Sequence, residues 1–166
     1  MPADADALAP PAALREALFA PGAAAYAVAD GAAREGFVTA LFEAGAPPAP
    51  LLPGALDDAA LAMAPHLVAL RPDAPALALL EEGWGRAEAV WLRSPLGPTE
   101  LRRALTRAAE ARLPRGRALF RFYDPRVMRA ALPALSPANR AALFAGAVEV
   151  FLCEDETGGN VLRFEP

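Results

Sequence analysis

The stretch Ala118-Leu119-Phe120-Arg121-Phe122-Tyr123-Asp124-Pro125-Arg126-Val127 joins two opposite patterns. Up to Tyr123 it reads as a strand. Side chains alternate across a strand, so Phe120 and Phe122 share one face and Leu119, Arg121 and Tyr123 the other. At Asp124 a helix start takes over. Asp is a good N-cap, and Pro at the first helical position gives up no hydrogen bond that the helix needs. The predicted helix runs to about Ala131. A strand feeding a helix through so short a corner points to the α/β class.

The rest of the chain repeats this change of period. Upstream, Pro11 to Phe19 reads as a short helix stopped at Pro21-Gly22. Ala24 to Ala29 reads as a buried strand bounded by Asp30-Gly31, and Ala32 to Ala44 as a helix with Phe37, Leu41 and Ala44 on one stripe. Ala46 to Gly54 holds four prolines and reads as a loop. Asp57-Asp58 starts a helix that Pro65 must stop, and His66 to Leu70 follows as a strand. Pro75 to Glu82 reads as a helix closed by Gly83, and Glu88 to Arg93 as a strand. Thr99 is placed to cap a helix running to Arg112, with Glu100 in its first turn where the helix dipole favours a negative charge.

Downstream, Ser136-Pro137 repeats the Asp124-Pro125 device and opens a helix to about Phe144. Val148 to Cys153 and Val161 to Phe164 read as strands around a hairpin-type turn at Gly158-Gly159-Asn160. This alternation predicts a single-domain α/β sandwich over residues 12–166. Its sheet is expected to be mixed and partly parallel, flanked by short helices. Residues 1–11 read as a flexible N-terminal arm.

Composition excludes several function classes. The 166 residues include 43 Ala, 24 Leu and 18 Pro, with no Lys, Ile or Gln, as a GC-rich coding bias produces. All 16 basic residues are therefore Arg. A net charge of −4 argues against a nucleic-acid binder working by phosphate neutralisation. One Cys, Cys153, makes no internal disulfide and no cysteine zinc site. One His, His66, removes His-rich metal sites. No cofactor motif is present: there is no GxGxxG, GxxxxGK[ST], GxSxG or HExxH. The first residues lack the basic and apolar regions of a secretory signal, and no apolar run is long enough to span a membrane. The expectation is a cytoplasmic protein with no cofactor, no nucleic-acid partner and no membrane insertion.

Three places stand out as candidate sites. Arg121, Tyr123 and Arg126 cluster at the strand-to-helix corner, where α/β proteins often bind ligands. The same corner also suits a purely structural role, with Asp124 capping a helix and pairing with an Arg. Glu81-Glu82-Gly83-Trp84-Gly85 either presents Trp84 as a recognition platform between two glycines or tucks it into the core. Arg102, Arg103, Arg107, Arg112, Arg115 and Arg117 form a basic stretch, either an anion site or a solvated face. His66 at a strand start reads as structural, and Cys153 as an inert buried thiol.

Several segments, taken in order, resemble a known family: Tyr26-Ala27-Val28-Ala29-Asp30-Gly31-Ala32, Ala64-Pro65-His66-Leu67-Val68-Ala69-Leu70, Gly83-Trp84-Gly85, Leu101-Arg102-Arg103-Ala104-Leu105 and Leu119 to Val127. Together they look like the type VI secretion effector-adaptor, or chaperone, family, catalogued as domain of unknown function 4123. The resemblance covers residues 24 to 153. The chain departs from the family pattern where His66 replaces an expected Tyr, where Ala104 falls on a common His, and where Ala145-Gly146-Ala147-Val148 replaces Phe-Gly-Pro-Val.

The resemblance implies a non-enzymatic adaptor that binds a secreted toxin effector in the cytoplasm. It would help load that effector on a spike protein, VgrG or PAAR. Trp84, Arg121, Tyr123 and Arg126 are the expected partner-binding residues. Asp30, Pro65, Gly83, Gly85, Asp124 and Pro125 are the expected structural motif. The competing class is an enzyme or small-ligand domain whose Arg cluster holds an anionic substrate. That class calls for a concave pocket with convergent polar groups.

Overall fold

A computed structural model describes residues 9–113 and 116–166. In chain order the elements are α1 (Ala12–Leu18), β1 (Ala24–Asp30), α2 (Phe37–Glu43), α3 (Asp58–Met63), β2 (Pro65–Leu70), α4 (Pro75–Glu81) and β3 (Ala89–Ser94). Then come α5 (Pro98–Ala109), β4 (Glu110–Leu113), β5 (Gly116–Leu119), α6 (Pro125–Ala131), a 3-10 turn (Leu132–Ala134), α7 (Pro137–Phe144), β6 (Val150–Glu154) and β7 (Val161–Phe164).

Five strands form the central sheet in the order β2-β1-β3-β6-β7, and every pairing is antiparallel. The expected partly parallel sheet is therefore wrong. The connection from β2 through α4 to β3 is a crossover, but it steps over β1. The two strands it joins run in the same direction without pairing, because β1 lies between them. An alternation of strand and helix cannot show that a strand has been inserted between the two.

Helices cover both faces of the sheet. On one face Tyr26, Val28, Val90, Leu92 and Phe151 pack with Leu101 and Leu105 of α5, Met128 of α6 and Phe144 of α7. On the other, Ala27, Val68, Trp91 and Leu152 pack with Leu14 and Leu18 of α1, Phe37 and Leu41 of α2, and Leu77 and Leu80 of α4. Coverage on both faces explains why β1, β3 and β6 read as continuous apolar runs, a pattern common in parallel sheets.

The local rules hold where a side chain decides them. Asp57 accepts from Ala60 N–H at 2.8 Å, Asp124 from Arg126 N–H at 2.9 Å and Ser136 from Asn139 N–H at 3.2 Å. Thr99 is not the cap of α5. Pro98 takes the first helical position, which moves the cap back to Gly97. α5 also stops at Ala109, short of Arg112, where the chain turns into the β4–β5 hairpin.

The strand expected to reach Tyr123 ends at Leu119. Phe120 N–H makes a last bond to the Ala109 carbonyl at 2.7 Å, and the chain then curls, with Phe122 N–H donating to the Phe120 carbonyl at 2.9 Å. Adjacent Phe122 and Tyr123 both enter the same core, which strand alternation forbids. The attraction is aromatic: Phe122 meets Tyr123 edge-on at 5.9 Å and Phe151 at 5.8 Å.

Most of the expected N-terminal arm, residues 1–8, lies outside the described residues, as do Arg115 and the side chains of Arg112 and Arg117. Arg102, Arg103 and Arg107 are exposed on α5. No helix among the described residues is long and apolar enough to cross a membrane.

Candidate functional site: arginines held on buried carboxylates

Among the described residues four acids are buried, and all lie at one end of the sheet. Asp30 ends β1, Glu88 precedes β3, Glu154 ends β6 and Asp124 caps α6, with 5%, 4%, 4% and 3% of their surface exposed. Asp30 N–H donates to the Glu88 carbonyl at 2.9 Å, so β1 and β3 bring two of them side by side. A carboxylate stripped of water is costly unless it is paired and hydrogen-bonded. Here each has such partners, although Glu88 Oε2 makes no hydrogen bond and has only the Arg34 charge beside it.

Arg126 grips Asp124 with both ends of its fork, Nε to Oδ1 at 3.0 Å and Nη2 to Oδ2 at 2.9 Å. The same Oδ1 caps α6, so one carboxylate starts the helix and fixes the guanidinium. Burial by itself would raise the Asp124 pKa. The bonds from the Arg126 side chain and N–H, with the charges of Arg126 and Arg121, outweigh it and hold the carboxyl below its usual range. Pro125, at the first position of α6, is itself buried.

Arg121 donates to Asp30 Oδ2 at 3.1 Å and lies 3.8 Å from Asp124 Oδ2. The other Asp30 oxygen accepts from Ala32 N–H at 3.1 Å. The guanidinium also lies 5.8 Å from the centre of the Tyr123 ring. Burial, with the Asp30 charge adding to it, raises the Tyr123 phenol pKa, so Tyr123 stays neutral at physiological pH. Both arginines still face water, with side chains 48% exposed at Arg121 and 66% at Arg126.

The neighbouring turn is built on Glu88 and Glu154. Glu88 binds Arg86 Nε at 2.9 Å through Oε1, and its Oε2 lies 3.4 Å from Arg34 Nε. Glu154 accepts from Gly85 N–H and Ala87 N–H, both at 2.6 Å. Burial nonetheless raises its pKa, since desolvation exceeds the pull of those two N–H groups. Gly83 leaves room for the Glu88 carboxylate, which would have to move for a Cβ there, 2.3 Å from Oε2 and 2.9 Å from Cδ. Gly85 is required for its left-handed backbone, φ 83°.

The structure thus gathers Asp30, Arg121, Tyr123, Asp124, Pro125 and Arg126 into one corner, with Pro65 directly across the ladder from Asp30. Gly83, Trp84 and Gly85 belong to the adjoining turn. Trp84 is 1% exposed, and its indole N–H donates to the Gly158 carbonyl at 2.7 Å. It packs on the α1–α2–α4 face, whereas Tyr123 packs on the other. The recognition-platform expectation for Trp84 is therefore corrected: a ring that large is worth more inside, once its one polar atom has a partner.

Five participants were not among the candidates: Arg34, Arg86, Glu88, Glu154 and Arg129, whose Nη1 donates to the Glu154 backbone carbonyl at 2.9 Å. The signal for the two glutamates lies in their placement, each an acid flush against the end of an apolar strand. His66 is structural. Its Nε2–H donates to the Leu61 carbonyl at 2.8 Å, and Nδ1 accepts from Ala49 N–H at 3.1 Å. Cys153 is fully buried, which pushes its thiol up to about 12 and leaves it protonated. Among the described residues no three metal-ligating side chains come together.

The corner residues line none of three cavities in the fold. These, of 510, 450 and 510 Å³, sit at the β2 edge, beside α1 and between α5 and α7 respectively. What the corner offers is a raised pair of cations on an apolar, aromatic base. Comparison with curated proteins and with solved structures finds no match. A family model, described as Domain of unknown function (DUF4123), matches residues 25–142. That span is most of the chain and contains every corner residue, and the chain belongs to the DUF4123 family.

Proposed function

We propose that the protein is a non-catalytic adaptor, or chaperone, that binds a type VI secretion toxin effector in the cytoplasm and helps load it onto a VgrG or PAAR spike protein. The partner class follows from the family resemblance. The observation that carries the reading is the double anchoring of Arg121 and Arg126. Their inner edges are tied to Asp30 and Asp124, and their outer edges face water.

Guanidiniums ordered before the partner arrives lose less entropy on binding. Each still has free N–H donors, suited to bidentate contacts with a carboxylate or with backbone carbonyls. Tyr123, expected as a contact residue, is 4% exposed and instead forms the buried base beside the Arg121 guanidinium. An enzyme holding an anionic substrate would instead concentrate its arginines in a concave pocket. The corner lines none of the cavities of 510, 450 and 510 Å³, which supports a surface contact at these two arginines rather than a substrate pocket.

The test is co-purification with a type VI toxin effector and with a VgrG or PAAR spike protein of the same genome. Arg126→Ala and the Arg121→Ala/Arg126→Ala pair should weaken capture at least about tenfold, while circular dichroism stays unchanged. Undiminished capture by both folded variants assigns the contact to another surface.

A further inference from the structure

The β2 edge of the sheet is only partly covered. Leu51 N–H donates to the Pro65 carbonyl at 2.8 Å, and Leu67 N–H to the Ala49 carbonyl at 2.9 Å. These two bonds identify Pro65, Leu67 and Ala69 as the residues whose backbone groups face outward, since His66, Val68 and Leu70 face β1. The covering segment then runs out. The next residue in register opposite Ala69 is Pro47, which has no N–H to donate. The N–H and carbonyl of Ala69 have no backbone partner among the described residues.

An open edge is normally blocked, because it is a template for another strand. Here a 510 Å³ cavity opens along it. Pro47, Pro75 and Pro98 contribute to its walls, and Ala69 lies exposed at its floor. Its charged lining residues are Arg71 and Arg102, and no acid lines it. Arg71 has one long contact, 3.7 Å to Asp73, with both side chains at least 80% exposed and free to exchange partners. On a chain of net charge −4 this groove is locally cationic.

We propose that the groove is a strand-addition site for an extended, acidic peptide segment of a partner protein. The segment extends the sheet outward from β2, exchanging both backbone hydrogen bonds with Ala69. Its side chains alternate between the α5 and α4 sides of the edge, and its acidic groups reach Arg102 and Arg71. The groove is separate from the Arg121 corner, so this inference stands or falls independently of the adaptor reading.

The probe is a short, terminally blocked peptide of alternating Asp and Val, titrated into the isotope-labelled full chain. Two controls accompany it: the same peptide N-methylated at alternate residues, and its Lys-Val counterpart. The expected result is a shift and slowed hydrogen exchange at the Ala69 amide, weakening as salt is added. Each control should bind at least about tenfold more weakly. Ala69→Pro removes the outward N–H without touching the β1 ladder, and Arg102→Glu reverses a solvent-facing charge. Both should lower affinity about tenfold, and the second keeps the test valid if the first unfolds the chain.

Four results would overturn the proposal. One is no binding of the Asp-Val peptide at about 1 mM. Another is binding that N-methylation leaves intact. A third is an Ala69 amide already protected in the dilute free chain, which gives the edge to this chain's own residues. The last is a concentration-dependent dimer that Ala69→Pro abolishes, which gives it to a second copy.

Discussion

Arg121 lies between two buried carboxylates, 3.1 Å from Asp30 Oδ2 and 3.8 Å from Asp124 Oδ2. It ties the end of β1 to the start of α6 across 91 residues of chain. Because its own side chain is half in water, removing it matters mainly through what it leaves behind. Arg121→Ala abandons a buried Asp30 oxygen and should cost about 1–3 kcal/mol. Asp30→Asn, which keeps the shape and drops the charge, should cost less. The double variant should cost measurably less than the two singles combined, because the second change removes the group stranded by the first. Denaturant melts of the four proteins measure this. Strict additivity would show that the pair is not coupled.

His66 makes stability depend on pH with a definite sign. In the folded chain Nδ1 must stay unprotonated to accept from Ala49 N–H. Burial lowers the pKa from its ordinary 6.5, and the bond to the Leu61 carbonyl only partly restores it. The stability contributed by neutral His66 is therefore fully present above pH 6.5. It is lost as pH falls from there toward the lower folded value. The midpoint of urea unfolding should drop between pH 7 and about pH 5.5. His66→Gln, although less stable throughout, should show a flatter profile, since this is the chain's one histidine. Equal slopes in both proteins would assign the pH dependence to other groups.

Gly31 follows Asp30, and its N–H donates to the Ala64 carbonyl at 3.0 Å. A Cβ at that position would lie 2.4 Å from the Ala64 oxygen and 2.6 Å from the Ala62 oxygen. Both are backbone atoms and cannot rotate away. Gly31→Ala must push β1 from the α3–β2 junction and take Asp30 with it. The expected loss is about 2–3 kcal/mol, with weaker partner capture through a displaced Arg121. Gly36→Ala is the control. It is strained only by its φ of 71°, with nothing within 4 Å, and should cost about 1 kcal/mol.

The Asp124 side of the corner was legible in the sequence because its chemistry is local, whereas the Arg121–Asp30 pair spans 91 residues. Asp124, Pro125 and Arg126 are neighbours, and capping rules act over three residues. Sheet direction was not legible. The insertion of β1 between β2 and β3 depends on pairings such as Tyr26 with Leu92, which no local pattern encodes. The end of β5 was missed for a related reason. Alternation assigned Phe122 and Tyr123 to opposite faces, but contact with the distant Phe151 turned both toward one core. Glu88 and Glu154 escaped notice because charged residues at strand ends usually meet solvent. Only the assembled Arg34 and Arg86 at Glu88, and the Gly85 and Ala87 N–H groups with the Arg129 charge at Glu154, make their burial tolerable.

Trp84 is the residue whose substitution most easily misleads. An exposed recognition Trp, once removed, would abolish binding and leave the fold untouched. This one is buried among Leu80, Ala89 and their neighbours, with its indole N–H bonded to Gly158 in the β6–β7 turn. Trp84→Ala should therefore destabilise the protein by about 3–5 kcal/mol and loosen the β6–β7 hairpin. Any loss of partner capture should then track the unfolded fraction. Trp84→Phe keeps most of the ring volume and loses only the bond to Gly158, so it should cost about 1–2 kcal/mol. Capture by Trp84→Phe at low temperature, where the chain stays folded, should equal that of the unaltered protein. Loss of capture by folded Trp84→Phe, with Arg121 and Arg126 undisturbed, would return Trp84 to the binding surface.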